Sequence, residues 1–357
     1  MNFKVTLRPS GRSFEVARDE AVLAAAIRQG VGLPYGCRDG ACGSCKSQLV
    51  EGRVLHGAHQ QKALSSAEEQ AGWMLTCCAT PQTDLLVEAR TVPGAGEFAV
   101  RKMPCRVQSI ARPAPDVAIL RLQLPANTQL DYHAGQYVEF VLKDGVRRSY
   151  SMANAPHTAR EGLELHVRHM PGGVFTDALF GGMKEKDILR LEGPFGSFFL
   201  RDKRLQPAAT PPPEPAAPGR PLVLLASGTG FAPIKAIIED MQAKGNARAA
   251  HLYWGARRVR DLYLHEWALA AAARIPTLTY VPVLSEAAPE DAWRGRTGFV
   301  HEAVMADLPD LSHHEVYACG APAMVDAAQR DFISRCNLPA EDFYADSFTS
   351  EADKHGA

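Results

Sequence analysis

Residues 34–45 read Pro34-Tyr35-Gly36-Cys37-Arg38-Asp39-Gly40-Ala41-Cys42-Gly43-Ser44-Cys45 and set three cysteines at Cys-x4-Cys-x2-Cys. A fourth, Cys77, stands 31 residues further on. Thiolates gathered around metal carry excess negative charge that nearby N–H donors must offset. Gly36, Gly40 and Gly43 give the backbone the freedom to wrap close and present those donors. Five of the eight cysteines fall between Cys37 and Cys78. Eight are too few for a disulfide scaffold in a chain of this length, and clustered thiols in a reducing compartment hold metal rather than pair.

This is the spacing of plant-type [2Fe–2S] ferredoxins, and it predicts Cys37, Cys42, Cys45 and Cys77 as cluster ligands. A zinc site would favour two Cys-x2-Cys-like hairpins, whereas the second half offers only the adjacent pair Cys77 and Cys78. Adjacent side chains diverge in an extended segment, and Leu75-Thr76-Cys77 matches the ferredoxin pattern. Cys77 is therefore the expected ligand and Cys78 a small buried residue. Around the loop, Phe3 to Leu7 and Ser13 to Val16 read as a hairpin, and Asp19 as the cap of a helix running to Gln29 and ended by Gly30. Ser65, Ser66, Glu68 and Glu69 read as a capping box before a strand near Leu85 to Ala89. These elements resemble the ferredoxin β-grasp module and place a [2Fe–2S] domain at 1–92, with Pro93-Gly94-Ala95-Gly96 as a linker.

The whole chain has 357 residues, enough for two or three domains. Its 46% apolar and 22% charged residues are ordinary globular composition. With 39 Lys and Arg against 40 Asp and Glu, charge gives no argument for a nucleic-acid or membrane partner. No apolar run reaches the ~18 residues of a membrane span, and Met1-Asn2-Phe3-Lys4-Val5 lacks the apolar stretch of a signal peptide, so a cytoplasmic location is expected. His166 and His169 fall on opposite faces of a strand, His56 and His59 lie in a loop without further ligands, and none is assigned to metal.

Short alternating runs such as Ala118-Ile119-Leu120-Arg121-Leu122 and Leu163-Glu164-Leu165-His166-Val167 predict an antiparallel barrel over 101–204. Within it, Arg148-Ser149-Tyr150-Ser151 resembles the Arg-x-Tyr-Ser flavin signature of the ferredoxin–NADP reductase superfamily. Alternation sends Arg148 and Tyr150 to one face of the strand and Ser151 to the other side or the strand end. A guanidinium can hold FAD phosphates bidentately and an aromatic ring can cover the isoalloxazine. The resemblance places Ser151 near flavin N5. Gly172 and Gly173 turn the chain into a helix whose N–H groups, with Thr176, could bind pyrophosphate, as the superfamily's Gly-x-x-Ser/Thr-x-x-Leu element does. The proline- and alanine-rich stretch Gln206 to Pro221 reads as an extended or disordered loop at a domain boundary.

Beyond it, strands alternate with helical patterns over 220–345, which predicts a parallel sheet with crossover helices. The first strand ends in Gly228-Thr229-Gly230-Phe231-Ala232-Pro233, where glycines permit a pyrophosphate to approach a helix N-terminus. Pro233 replaces the third glycine of the dinucleotide fingerprint, which favours the reductase superfamily over a standard dehydrogenase. Cys319-Gly320-Ala321-Pro322 resembles the superfamily's Cys-Gly-x-Pro, which implies a cysteine beside the nicotinamide. Asp261 could accept from a ribose hydroxyl, while Arg257, Arg258 and Arg260 could equally clasp a 2′-phosphate. NADH is expected by resemblance, with NADPH left open. The tail 346–357 is expected to return to the flavin, presenting Asp346 and Phe348.

Taken in order, the motifs resemble the CDP-6-deoxy-Δ3,4-glucoseen reductase-like family, with aromatic-oxygenase reductases as the alternative. Leu75-Thr76-Cys77-Cys78-Ala79, Arg168-His169-Met170-Pro171-Gly172-Gly173 and Phe343-Tyr344-Ala345-Asp346 carry the first resemblance. It implies electrons passing from NADH through FAD and a [2Fe–2S] cluster to a one-electron-accepting protein, a dehydrase or an oxygenase component. Ser151, Cys319 and Asp346 would serve the hydride step. Direct reduction of a small molecule at the flavin and a non-catalytic iron–sulfur interaction protein are the competing classes. The second is disfavoured because an idle protein needs no Cys319 beside a glycine loop.

Overall fold

The computed structural model describes residues 2–201 and 219–349 and divides into two compact units. Most of the proline-rich stretch from Gln206 lies outside the described residues, as do 350–357 of the tail. No helix among the described residues is long and apolar enough to cross a membrane.

One unit contains the chain up to Val100 and the segment that begins at Pro194. Its five-stranded sheet runs in the order Ser13–Ala17, Asn2–Arg8, Leu85–Glu88, Lys46–Glu51, Trp73–Leu75. Asn2–Arg8 is antiparallel to Ser13–Ala17 and parallel to Leu85–Glu88. Alternation buries Val5, Leu7, Phe14 and Val16 on one face. The helix Val22–Arg28 contributes Val22, Leu23, Ala25 and Ala26 to the core. Its N-cap is Ala21 with no side-chain cap, so Asp19 does not cap it; Glu20 instead accepts from the Ala17 N–H and pairs with Arg28. Ser65 and Glu68 do form a capping box on Ser66–Gln70. The stretch expected as a linker is packed down. Val92 and Ala95 are buried with Phe199, and the Val92 N–H donates to the Gly32 carbonyl at 3.0 Å.

The other unit holds two sheets. The first has six strands in the order Arg147–Ser151, Tyr137–Val141, Ile188–Phe195, Arg101–Ala114, Val117–Gln123, Leu163–Arg168. An antiparallel bridge from Met152 to Leu165 closes it into a barrel. Leu120, Leu122, Leu163 and Leu165 fill the interior while Arg121, between two of them, faces outward. Each such leucine contributes roughly 1.5–3 kcal/mol by leaving water.

The second sheet is parallel, in the order Arg296–Thr297, Leu278–Leu284, Ala250–Ala256, Leu222–Ser227, Glu315–Gly320, Phe343–Ser347. Leu222–Ser227 is apolar throughout its first five residues, all buried, as a central strand covered on both faces requires. Helices Phe231–Ala243, His265–Arg274, Val300–Asp307 and Pro322–Arg335 connect the strands. The edge strand Phe343–Ser347 differs from expectation. It pairs in register with Glu315–Gly320, setting Asp346 opposite Cys319, so the boundary drawn at residue 345 falls inside a strand.

Candidate functional site

In the cluster loop the sulfurs group two and two. The Cys37 N–H points to the Cys42 sulfur at 3.4 Å and the Cys42 N–H to the Cys37 sulfur at 3.3 Å. The Cys77 sulfur lies 3.5 Å from that of Cys78, and hydrogen bonding with Cys45, then with Cys78, pushes its thiol up. Among the described residues, no three His, Cys, Asp or Glu side chains converge as ligands of one ion. Thiols held this close fit a [2Fe–2S] cluster, whose irons each take two cysteines. The Cys42 thiol is lowered to about 6. The Cys37 thiol donating to it is the main cause, burial opposes, and the Cys37 N–H and Ser44 add to the lowering. Donors that favour a thiolate there are those a cluster sulfur needs.

The loop reaches this shape through left-handed backbone at Arg38, with φ 65°, and at Gly40, with φ 79°. A Cβ on Gly40 would lie 2.9 Å from the Cys78 sulfur. Arg38 tolerates the position with its guanidinium 4.0 Å above the Phe195 ring. The Ser197 hydroxyl accepts from the Tyr35 N–H and donates to the Tyr35 carbonyl, both at 2.9 Å. Cys77 and Cys78 stand in a turn, not an extended segment, and their sulfurs are 3.5 Å apart. The expected divergence of adjacent side chains therefore fails here, and Cys78 is half-buried rather than buried.

In the barrel, Tyr150 packs against Phe140 and Phe175 with ring centroids 5.9 and 5.0 Å away, and burial raises its phenol. Arg148, half-buried on the same strand, directs a guanidinium N–H to the Arg147 carbonyl at 2.8 Å. Gly173 is the N-cap of the helix Val174–Gly181, without a side-chain cap. Thr176 is turned back on this loop: its hydroxyl donates to the Met170 carbonyl at 2.8 Å and would occupy the place of a Gly173 Cβ. It shapes the turn instead of standing ready as a phosphate donor. An uncapped helix start with a tightly held glycine turn fits the pyrophosphate of FAD.

In the parallel sheet, Gly228, Thr229 and Gly230 form one tight turn leading into Phe231–Ala243. Trp254 stacks on Phe231 at 3.9 Å and donates its indole N–H to the Gly228 carbonyl at 3.1 Å. A Cβ on Gly230 would lie 2.2 Å from the Cys319 carbonyl oxygen, so only glycine lets this turn approach the end of the strand Glu315–Gly320 so closely. This bare backbone fits a dinucleotide pyrophosphate. Arg168 brings its guanidinium to within about 3.1 Å of the place a Gly228 Cβ would take. Sequence reading missed it, although it lies just ahead of the Pro171-Gly172-Gly173 turn.

Cys319 is fully buried, and burial, then the Asp346 carboxylate, hold its thiol well above its ordinary value. The Ser151 hydroxyl donates to Asp346 at 3.5 Å. Ser151, Asp346 and Cys319 are thus brought together from three strands, and the Phe348 N–H donates to the Gly320 carbonyl at 2.8 Å beside them. Asp261 accepts from the Arg258 N–H, closing its own turn. Arg258 is taken up by Glu290 and Asp291, each at 2.6 Å, while Arg257 and Arg260 are exposed.

A β-grasp sheet with paired cysteines, a closed barrel and a parallel sheet with a glycine turn define an iron–sulfur flavoprotein reductase. The chain matches the models of the 2Fe-2S iron-sulfur cluster binding domain over 5–82, the oxidoreductase FAD-binding domain over 104–200 and the oxidoreductase NAD-binding domain over 224–330. It is 38% identical over 351 residues to the CDP-6-deoxy-L-threo-D-glycero-4-hexulose-3-dehydrase reductase of Yersinia pseudotuberculosis, covering 98% of this chain and 99% of the other. It is 36% identical to reductase component 2 of a Comamonas terephthalate 1,2-dioxygenase, covering 99% and 100%. An Amycolatopsis cytochrome P450 reductase superposes with a TM-score of 0.77 at 34% identity, covering 98% and 99%. The chain belongs to this family of NAD(P)H-dependent FAD and [2Fe–2S] oxidoreductases, which includes the CDP-6-deoxy-hexulose dehydrase reductases.

Proposed function

We propose that this reductase uses NADH and delivers single electrons to a protein acceptor, a dehydrase working on a CDP-6-deoxy-hexulose. The convergence of Ser151, Asp346 and Cys319 carries the reading of the hydride site. When bound, FAD accepts a hydride from the nicotinamide and releases electrons singly to the cluster, turning a two-electron donor into a one-electron source. Asp346 orients the Ser151 hydroxyl, and Cys319 stays a neutral thiol. Tyr150, backed by Phe175, offers a fixed aromatic face, and Arg148 with the Gly173 turn would hold the flavin phosphates. Gly228, Thr229 and Gly230, with Arg168 alongside, would take the pyrophosphate of NADH. Cys37, Cys42, Cys45 and Cys77 would hold the two irons.

The acidic pair Glu290 and Asp291 supports NADH over NADPH, because it takes up Arg258, one of the three guanidinium groups that could clasp a 2′-phosphate. The dehydrase acceptor is supported by the 38% relative. The oxygenase alternative rests on the 36% relative. Cytoplasmic location fits clustered cysteines given to metal rather than to disulfides. The test mixes the purified reductase and NADH with a CDP-6-deoxy-hexulose dehydrase and its CDP-sugar, and separately with a terminal oxygenase and its aromatic substrate. Deoxygenated sugar in the first mixture supports the reading; turnover in the second alone replaces it.

A further inference from the structure

A chain of buried polar side chains crosses from the barrel to the nucleotide-binding sheet, and the reaction as described uses none of it. The Tyr263 hydroxyl meets His166 Nδ1 at 2.9 Å, and His166 Nε2 meets Glu164 Oε1 at 2.9 Å. A carboxylate accepts only, so Nε2 carries the proton and Tyr263 donates to Nδ1. Lys235 Nζ then contacts Glu164 Oε1 at 3.1 Å, Glu239 Oε1 at 2.7 Å and the Ala153 carbonyl at 3.0 Å. All three ammonium protons are thereby placed. Glu239 also accepts from the Ala155 N–H at 3.1 Å, and Arg121 reaches Glu164 Oε2 at 2.8 Å. The two buried charges, Glu164 and Lys235, balance each other, with Arg121 and Glu239 adding one cation and one carboxylate nearer the surface. Glu164, His166, Lys235 and Tyr263 are all 8% exposed or less.

The position of this network gives it consequence. Lys235 and Glu239 sit one turn apart on the helix that begins at the Gly228–Gly230 turn, and they grip the backbone two and four residues after Ser151. Tyr263, fixed by His166, meets Trp254 edge-on at 5.2 Å, and Trp254 in turn holds the Gly228 carbonyl. The flavin-side hydroxyl and the nicotinamide-side turn are thus tied to one rigid helix by both of its polar grips. We infer that Tyr263, His166, Glu164, Lys235 and Glu239 are positioning residues for hydride transfer, fixing Ser151 on the barrel against the Gly228–Gly230 turn and Cys319 on the sheet. A buried ionic network costs desolvation and is a poor choice for stability alone, whereas it specifies one register between two elements. This inference rests on the hydride site proposed above.

The experiment is stopped-flow reduction of the full-length, flavin- and cluster-loaded protein by NADH, comparing wild type with Tyr263→Phe, Lys235→Met and Lys235→Arg. Displacement of reacting groups by a fraction of an ångström slows transfer on the order of tenfold or more. Tyr263→Phe and Lys235→Met should show that loss in limiting rate at near-normal KM for NADH. The long-wavelength absorbance of nicotinamide stacked on flavin should weaken, flavin content should stay unchanged, and Lys235→Arg should recover part of the rate. If Lys235→Met fails to load flavin, Tyr263→Phe, which deletes one oxygen, decides. Wild-type limiting rates in Tyr263→Phe, or a change in KM alone, would overturn the inference. A wild-type protein whose flavin NADH does not reduce would instead overturn the proposed hydride site.

Discussion

Ser151 and Asp346, 195 residues apart in sequence, meet as hydroxyl and carboxylate at 3.5 Å, one from the barrel and the other from the edge strand of the parallel sheet. Because Asp346 accepts from Ser151, it fixes the direction in which the hydroxyl oxygen can offer its lone pairs. Asp346→Asn should therefore retain FAD, since nothing in the Gly172–Gly173 turn proposed for the phosphates changes. Its limiting rate of flavin reduction should fall on the order of tenfold to a hundredfold, as loss of an oriented group does. Ser151→Ala should fall by a similar factor, and the double variant by little more. Additive losses measured in stopped flow would show that the two act separately.

Cys319 stands directly opposite Asp346 in the strand register. Burial first, and Asp346 second, keep its thiol protonated. The native protein should thus leave Cys319 unmodified by iodoacetamide at pH 8, a condition in which exposed thiols react. Peptide mass spectrometry checks this. Cys319→Ala should slow flavin reduction without loss of flavin; an unchanged rate removes Cys319 from the site.

The cluster loop makes a ligand prediction with a built-in risk. Cys37→Ser and Cys45→Ser should abolish the visible absorbance and paramagnetic signal of the cluster, because each sulfur belongs to one of the two pairs. Cys78→Ser should keep both signals. With the Cys77 and Cys78 sulfurs only 3.5 Å apart, the decisive comparison is Cys77→Ser. A normal cluster there, with loss in Cys78→Ser, would move the fourth ligand to Cys78.

Gly230 tests how closely the nucleotide-side loops must approach. Its hydrogen faces the Cys319 carbonyl where a methyl would sit at 2.2 Å, against backbone that cannot yield as a flexible side chain would. Gly230→Ala should cost about 1–3 kcal/mol in denaturant unfolding, the range for overpacking a tight contact. Its KM for NADH should rise at least as clearly. Wild-type stability and KM together would mean that the Gly228–Gly230 turn and the end of Glu315–Gly320 separate freely.

Much of this architecture was legible because its chemistry is local. The cysteine spacing, Arg148-Ser149-Tyr150-Ser151 and the Gly228 turn each need only a few consecutive residues, and the apolar strand Leu222–Ser227 reads as buried from composition alone. The misreadings share a cause. Asp19 has the right side chain for a cap, yet the helix starts at Val22, too far along for it to reach. The divergence expected of Cys77 and Cys78 holds for a strand, whereas the chain turns there. The tail pattern places Asp346 in a segment returning to the flavin, and in the fold it stands on an edge strand paired with Cys319. The Lys235 network could not be read at all. Its members come from residues 121, 153, 155, 164, 166, 235, 239 and 263, and only tertiary structure brings them together.

That network also predicts how stability responds to acid. His166 is fully buried among Glu164, Lys235, Glu239 and Tyr263; burial is the largest influence on its imidazole and lowers it below its ordinary 6.5. Burial alone would raise Glu164, but the hydrogen bond from His166 and the charge of Lys235 outweigh it and leave the carboxyl at about 2, against an ordinary 4.5. Both folded-state values are depressed, so the unfolded chain binds protons that the folded one refuses. The stability His166 contributes is full above pH 6.5 and is lost as pH falls below it; the Glu164 contribution is full above 4.5 and is lost on the way to 2. His166→Gln keeps an acceptor for Tyr263 and a donor for Glu164 but cannot titrate in this range. In thermal unfolding of the full chain between pH 7.5 and 5, the midpoint of wild type should fall more steeply than that of the variant, with the difference developing below 6.5. Parallel curves would show that His166 gains its proton in the folded protein as readily as in the unfolded one.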